Sequence, residues 1–169
     1  MILQPNKIIP LLGISHGMTI LDMGSSIGFW AKPLGQIVGP AGKVIAVDFH
    51  PEIIDRLNHD VTEHGIQNIH GITGDVHKLG DLALKKDSCD IVLLVRMAGV
   101  IDDELESRIP ELLAFTKTGG KLVVIDHSEH RDALDKIFAA NGSHMKSTEI
   151  TQIGEQTENH FCGFFVERK

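Results

Sequence analysis

Gly24, Ser25, Ser26 and Gly28 form a loop of small residues between two apolar runs, and Asp22 and Asp48 end those runs. Small residues let backbone N–H groups approach a ligand closely, and a helix start behind them adds partial positive charge. Asp48 stands 20 residues beyond Gly28, where an acid at a strand end can accept hydrogen bonds from both ribose hydroxyls. Asp75, in Thr73-Gly74-Asp75 after the third apolar run, is placed to accept a bond from an adenine amino group. This set of residues suits an adenosine.

Further along, Arg96 closes the apolar run Asp90–Val95, and Asp126, His127 and His130 follow the run from Lys121. Ligands of open α/β sheets bind outside strand carboxyl ends. Arg96 there is either a substrate anchor or a plain surface charge. His127 is either a general base or a solvated loop histidine. The ten histidines form no metal-ligand spacing beyond the loose His127/His130 pair, so no metal is expected. With no tyrosine in the chain, a tyrosine base is excluded.

The elements that must position these residues follow from periodicity. Ile20 to Asp48 reads as strand, glycine loop, helix and strand, one βαβ unit. Phe29, Trp30, Leu34, Ile37 and Val38 look like the buried side of its helix, which Pro33 should kink or delay. Trp30 is either core or pocket wall. Pro51 opens a second helix with Ile54, Leu57 and Val61 inward, and Ile69–Ile72 is a short strand. Asp90–Val95 has the continuous apolar pattern of a sheet centre.

Asp103 and Glu106 have capping-box spacing at the head of a helix that Pro110 should kink. Gly119-Gly120 should end that region before a strand at Lys121–Asp126. Leu134, Ile137 and Phe138 make another helix, stopped by Asn141-Gly142. The tail reads as two strands joined by a polar turn. Five βα steps imply a parallel sheet covered by helices on both faces, within one domain spanning residues 1–169.

Net charge and cysteine use narrow the function classes. The chain has 169 residues and a formal charge of −7, which disfavours a nucleic-acid groove, because phosphate binding needs clustered Lys and Arg. Cys89 and Cys162 form no redox or metal motif and read as buried reduced thiols. Neither a signal peptide nor a membrane-spanning run is expected, and a cytoplasmic location follows by default.

The loop does not match the dinucleotide fingerprint, which would need glycines at 24, 26 and 29, where the chain has Gly24, Ser26 and Phe29. The looser G-x-G-x-G needs 24, 26 and 28, and two of those match. With LDMGSSIGFWA, VIAVDFHPE, ITGDVHKL, CDIVLLV and TKTGGKLVVIDHS in order, the whole chain resembles the class I S-adenosylmethionine-dependent methyltransferases. The likeness is greatest to the small-molecule branch around the ubiquinone and menaquinone C-methyltransferases, and the first segment is also similar to the protein isoaspartate methyltransferases.

The resemblance implies an α/β three-layer sandwich with a Rossmann-like, mostly parallel seven-stranded sheet whose last strand is antiparallel. It implies S-adenosylmethionine as cofactor, S-adenosylhomocysteine as product and a small-molecule acceptor. Gly24, Ser25, Ser26 and Gly28 would wrap the methionine and ribose part, with Asp22 beneath, orienting the loop or the cofactor's amino group. Asp48 would take the ribose hydroxyls, Phe49 would lie beside the adenine, and Asp75 and Val76 would meet its edge. Val95 and Arg96 would line the pocket, with Arg96 and His127 on the substrate side.

Ser26 replaces the middle glycine, so a left-handed backbone there would be strained. No inserted lid is visible in the sequence. The acceptor site is then shallow, completed by a second subunit in a homodimer, or made for a larger partner. A non-catalytic S-adenosylmethionine-binding or partner-binding domain of the same fold and a nicotinamide-dependent oxidoreductase are the alternatives.

Overall fold

A computed structural model describes residues 4–97, 105–127, 130–140, 145–153 and 158–167. Five parallel strands, β1 (Thr19–Met23), β2 (Lys43–Asp48), β3 (Ile69–Thr73), β4 (Cys89–Val95) and β5 (Thr116–His127), lie in the order β3-β2-β1-β4-β5. Beyond β5 come β6 (Met145–Ile153) and β7 (Glu158–Glu167), with β7 antiparallel to both β5 and β6. The helices are α1 (Pro5–Ile8), α2 (Ala31–Val38), α3 (Pro51–Glu63), α4 (Leu105–Leu113) and α5 (Arg131–Ala140).

Alternation along the strands divides the core into two layers. Leu21, Val47, Val92, Leu94 and Val124 face one layer with Ile109 and Leu112 of α4 and Leu134 of α5. Ile20, Val44, Ala46, Leu93 and Val123 face the other, with Leu34 and Val38 of α2 and Leu57 and Val61 of α3. Parallel strands covered on both faces must be apolar nearly throughout, which is why β1, β2 and β4 read as unbroken apolar runs. β1 pairs with β2 on one side and β4 on the other. The chain therefore switches direction across the sheet at β1, and a crevice opens above its carboxyl end.

One local expectation is resolved and two change. The helix after the loop starts only at Ala31, so Pro33 falls in its first turn, where a missing N–H costs nothing. Phe29 then lies in the preceding turn and is 44% exposed, and Ile37 sits off the Ala31, Leu34, Gly35, Val38 stripe at 38% exposed. Neither belongs to the buried side assigned to it, whereas Trp30 is buried.

Strand β5 starts at Thr116 and runs through Gly119-Gly120 instead of starting after them. Its pairing with β4 shifts register between Cys89 and Ile91. A Cβ on Gly120 would come within 3.1 Å of three backbone carbonyls, those of Lys117, Asp90 and Cys89. Glycine thus lets the strand bulge where a larger residue would end it.

Asp90, at the amino-terminal end of β4, ties three strands together. It accepts the Thr19 N–H of β1 at 2.7 Å and the Lys117 ammonium of β5 at 2.9 and 2.8 Å. Asp103, Asn141-Gly142 and the turn between the last strands lie outside the described residues.

Candidate functional site

The loop between β1 and α2 is held by hydrogen bonds that its sequence makes available. The N–H groups of Gly24 and Ser25 both donate to the Val47 carbonyl, at 2.8 and 2.9 Å, clipping the loop's start to the end of β2. Gly24 and Gly28 have φ of 78° and 85°, and Ser26 has φ of 50°. An L-residue in that region costs roughly 1–2 kcal/mol. The compensation for Ser26 is its N–H, which donates to Asp48 Oδ2 at 2.9 Å. The small-residue loop therefore needs the acid at the end of β2 to hold its shape.

Asp48 consequently has two tasks. Its Oδ1 accepts the His50 N–H at 3.2 Å and lies 3.1 Å from His50 Nδ1. A carboxylate offers roughly four lone-pair sites, and this arrangement engages three when Nδ1 carries the proton. One site on Oδ2 stays open to a ligand hydroxyl, and a second opens when the 43% exposed His50 side chain turns away. The sequence led to the expectation of an acid that takes both ribose hydroxyls; the structure shows the same acid anchoring the loop.

Asp22 is buried at 1% exposure beside this group, and its Oδ2 has no hydrogen-bond partner. Burial, and then the negative charge of Asp48, push its pKa up to about 7. Asp75 caps the 3-10 turn Val76–Asp81 by accepting the His77 N–H on Oδ1 at 2.9 Å. Gly74 joins the same group through its N–H to the Asp48 carbonyl at 2.9 Å.

Two cavities, each of about 320 Å³, meet at Gly24. One is lined by Met23, Gly24, Val47, Asp48, Phe49, Gly74, Asp75, Val76, His77 and Met97. Phe49 is 60% exposed at its mouth, with its ring 3.6 Å from that of His50. The other is lined by Gly24, Ser25, Ser26, Phe29, Trp30, Val95 and Arg96. All the proposed loop and adenine-side residues except Gly28 and Asp22 line one or the other. Gly28 shapes the loop from behind, where a Cβ would meet Leu57 Cδ1 at 2.6 Å.

His127 lines neither cavity. Its N–H donates to Asp126 Oδ1 at 2.8 Å, and His130 Nε2 is 3.9 Å from the same oxygen. Among the described residues, no group of three or more His, Cys, Asp or Glu could hold a metal ion. A larger groove of about 810 Å³ includes Gly39, Lys43, Asn68, Ile69 and His70. It lies at the amino-terminal ends of β2 and β3, away from the edge where α/β sheets bind ligands.

Sequence reasoning missed Met97 and His77 and misplaced Phe29. A Cβ on Gly24 would stand 2.4 Å from Met97 Sδ, so this side chain packs directly on the bare α-carbon at the junction of the cavities. The only signal in the sequence was position, two residues beyond the end of β4.

Residues 14–163 match the family model described as "Methyltransferase domain". A demethylmenaquinone methyltransferase of Lactococcus lactis subsp. lactis is 30% identical over 122 residues, which cover 72% of this chain and 47% of the relative. An arsenite methyltransferase of Halobacterium salinarum is 29% identical, covering 67% of this chain and 28% of the relative. The chain thus spans about half, or less, of the length of these relatives. Among solved structures, a SAM-dependent methyltransferase from Aquifex aeolicus superposes with a TM-score of 0.79 at 21% identity, covering 96% of this chain and 88% of that one.

Proposed function

The chain belongs to the class I S-adenosylmethionine-dependent methyltransferases, and we propose that it transfers the sulfonium methyl group to a small-molecule acceptor. The observation that carries this reading is the pair of cavities meeting at Gly24 above the carboxyl ends of β1, β2 and β4. Adenosine takes the cavity with the two acids, Asp48 toward the ribose and Asp75 toward the adenine amino group. Phe49 and Val76 flank the ring. The methionine part runs over Gly24, Ser25, Ser26 and Gly28 toward Val95, with Asp22 beneath the loop, and Arg96 stands on the acceptor side. The naming of relatives for demethylmenaquinone and arsenite supports a small acceptor, as does the net charge of −7 against nucleic acid.

The transfer is an in-line displacement at carbon. The acceptor's electron pair forms the new bond to the methyl carbon while the carbon–sulfur bond breaks. Its electrons stay on sulfur, leaving neutral S-adenosylhomocysteine. The protein's part is to hold the nucleophile near the methyl group and keep water away. A base is needed only for an acceptor that arrives protonated with a high pKa.

We also infer one domain over residues 1–169, with a seven-stranded sheet whose last strand is antiparallel. The register of β7 on β5, from Lys121 with Glu167 to His127 with Phe161, supports it. No helix among the described residues is long and apolar enough to cross a membrane. Calorimetric titration with S-adenosylmethionine, S-adenosylhomocysteine and NAD tests the cofactor reading. Binding of both adenosyl thioether and sulfonium is expected; binding of NAD alone would overturn it.

A further inference from the structure

At the carboxyl end of β4 the chain places an arginine in a conformation that arginine disfavours. Arg96 has φ of 57°, and its N–H donates to the Ile125 carbonyl of β5 at 2.8 Å. A non-glycine residue held in this region at the end of a central strand points to a use for its side chain. Among the described residues Lys32 pairs with Asp60, Arg108 with Glu111 and Lys117 with Asp90, whereas Arg96 is paired with no described acid.

The surroundings narrow what it meets. Its cavity is lined by two aromatic residues, the half-exposed Phe29 and the buried Trp30, together with Ser25, Ser26 and Val95, and among the described residues by no acid. The neighbouring cavity, by contrast, carries Asp48 and Asp75. Taking the proposed function as given, a sulfonium sits at the junction, so two positive charges face the second cavity. An anion between them relieves their repulsion, and a guanidinium binds a carboxylate through two parallel N–H···O bonds. Aromatic walls favour a flat ring that can stack or meet them edge-on.

We propose that Arg96 is a specificity-determining residue, and that the acceptor is a flat aromatic molecule carrying a carboxylate, gripped by Arg96 and packed on Phe29. The rival partner for the guanidinium is the cofactor's own carboxylate, because the methionine part runs over Ser25 and Ser26 along the floor of this same cavity. That group lies on an aliphatic chain, which has no use for Phe29 and Trp30.

The test uses salicylate and its neutral amide, salicylamide, as probes on the full chain saturated with S-adenosylhomocysteine, read by calorimetry. Salicylate is expected to bind at least tenfold more tightly than salicylamide. Arg96→Gln should erase that preference while costing S-adenosylhomocysteine less than tenfold in affinity, and Arg96→Lys should keep part of it. Arg96→Gly should also erase it, yet raise the melting temperature by releasing the left-handed strain, which separates loss of the anchor from loss of fold.

No preference for the carboxylate in the unaltered chain, including binding of neither probe, would overturn the proposal. So would a tenfold loss of S-adenosylhomocysteine affinity in Arg96→Gln with the preference intact, because the guanidinium would then serve the cofactor. Failure of the unaltered chain to bind S-adenosylhomocysteine at all would refute the proposed function itself, and this inference with it.

Discussion

Asp22→Asn should flatten the pH dependence of stability of the unliganded protein between about pH 4 and 7. Burial and the Asp48 charge raise the folded-state pKa of Asp22 from 3.8 to about 7. Between those values the folded protein binds more protons than the unfolded chain, so stability falls as pH rises. The contribution is fully present below about pH 4 and is lost as pH passes through 7. A shift of roughly three units, at about 1.4 kcal/mol each, amounts to roughly 4 kcal/mol. For a chain of this length that corresponds to a melting-temperature change of roughly 10 °C.

Asparagine keeps the shape and stays neutral, so it imitates the protonated acid at every pH. Its amide adds donors at the unpartnered Oδ2 position, an offset of about 1–3 kcal/mol that does not vary with pH. The assay is the denaturation midpoint of both proteins at half-unit steps from pH 4 to 8. The variant should gain on the parent by roughly 4 kcal/mol across the range. Two curves that run parallel would refute the reasoning, because Asp22 would then titrate alike in the folded and unfolded states.

Four other variants test the loop and its supports. Ser26→Gly should stabilise the chain by about 1 kcal/mol in denaturant titrations by relieving the left-handed φ, with S-adenosylmethionine affinity kept within about threefold. Gly24→Ala should weaken cofactor binding by more than about tenfold in calorimetry, because a Cβ 2.4 Å from Met97 Sδ drives that side chain into the adenine-side cavity. Asp48→Asn should cost about 2 kcal/mol or more of cofactor affinity, and should also move the Asp22 transition, followed by infrared carboxyl absorption, to lower pH. Asp90→Ala should lower the denaturation midpoint by about 1–3 kcal/mol while leaving cofactor affinity of the folded protein unchanged, since its bonds lie at the opposite end of the sheet.

The strands and the glycine loop were legible because burial on both faces imposes continuous apolar runs, and because a ligand at a strand end demands small residues and a following acid. What stayed hidden depends on contacts between distant residues. Asp90 looked like a strand opener, and nothing local shows that its carboxylate receives Thr19 and Lys117. Gly119-Gly120 looked like a turn, because the carbonyls that a Cβ on Gly120 would strike include two from β4. Phe29 fitted a helical stripe until the helix began two residues later. Met97 had no pattern to announce it, and its role exists only once β4 stands beside β1.

Asp48 connects the loop, the cofactor and Asp22 in a way that sequence spacing alone does not show. Its Oδ2 holds Ser26 in a strained conformation, and its charge helps keep Asp22 protonated near neutral pH. A ribose hydroxyl donating to the open site on Oδ2 withdraws part of that charge, so the field on Asp22 weakens and its pKa falls. A neutral nucleoside should therefore lower the Asp22 pKa without any positive charge of its own, and a sulfonium with an ammonium group should lower it further. Calorimetry at pH 6.5 in buffers of different ionisation enthalpy separates the two effects: adenosine should release a small fraction of a proton and S-adenosylmethionine a larger one. Equal release by both would mean that Asp22 responds only through Asp48, and no release by either would mean that the two acids are not coupled across the loop.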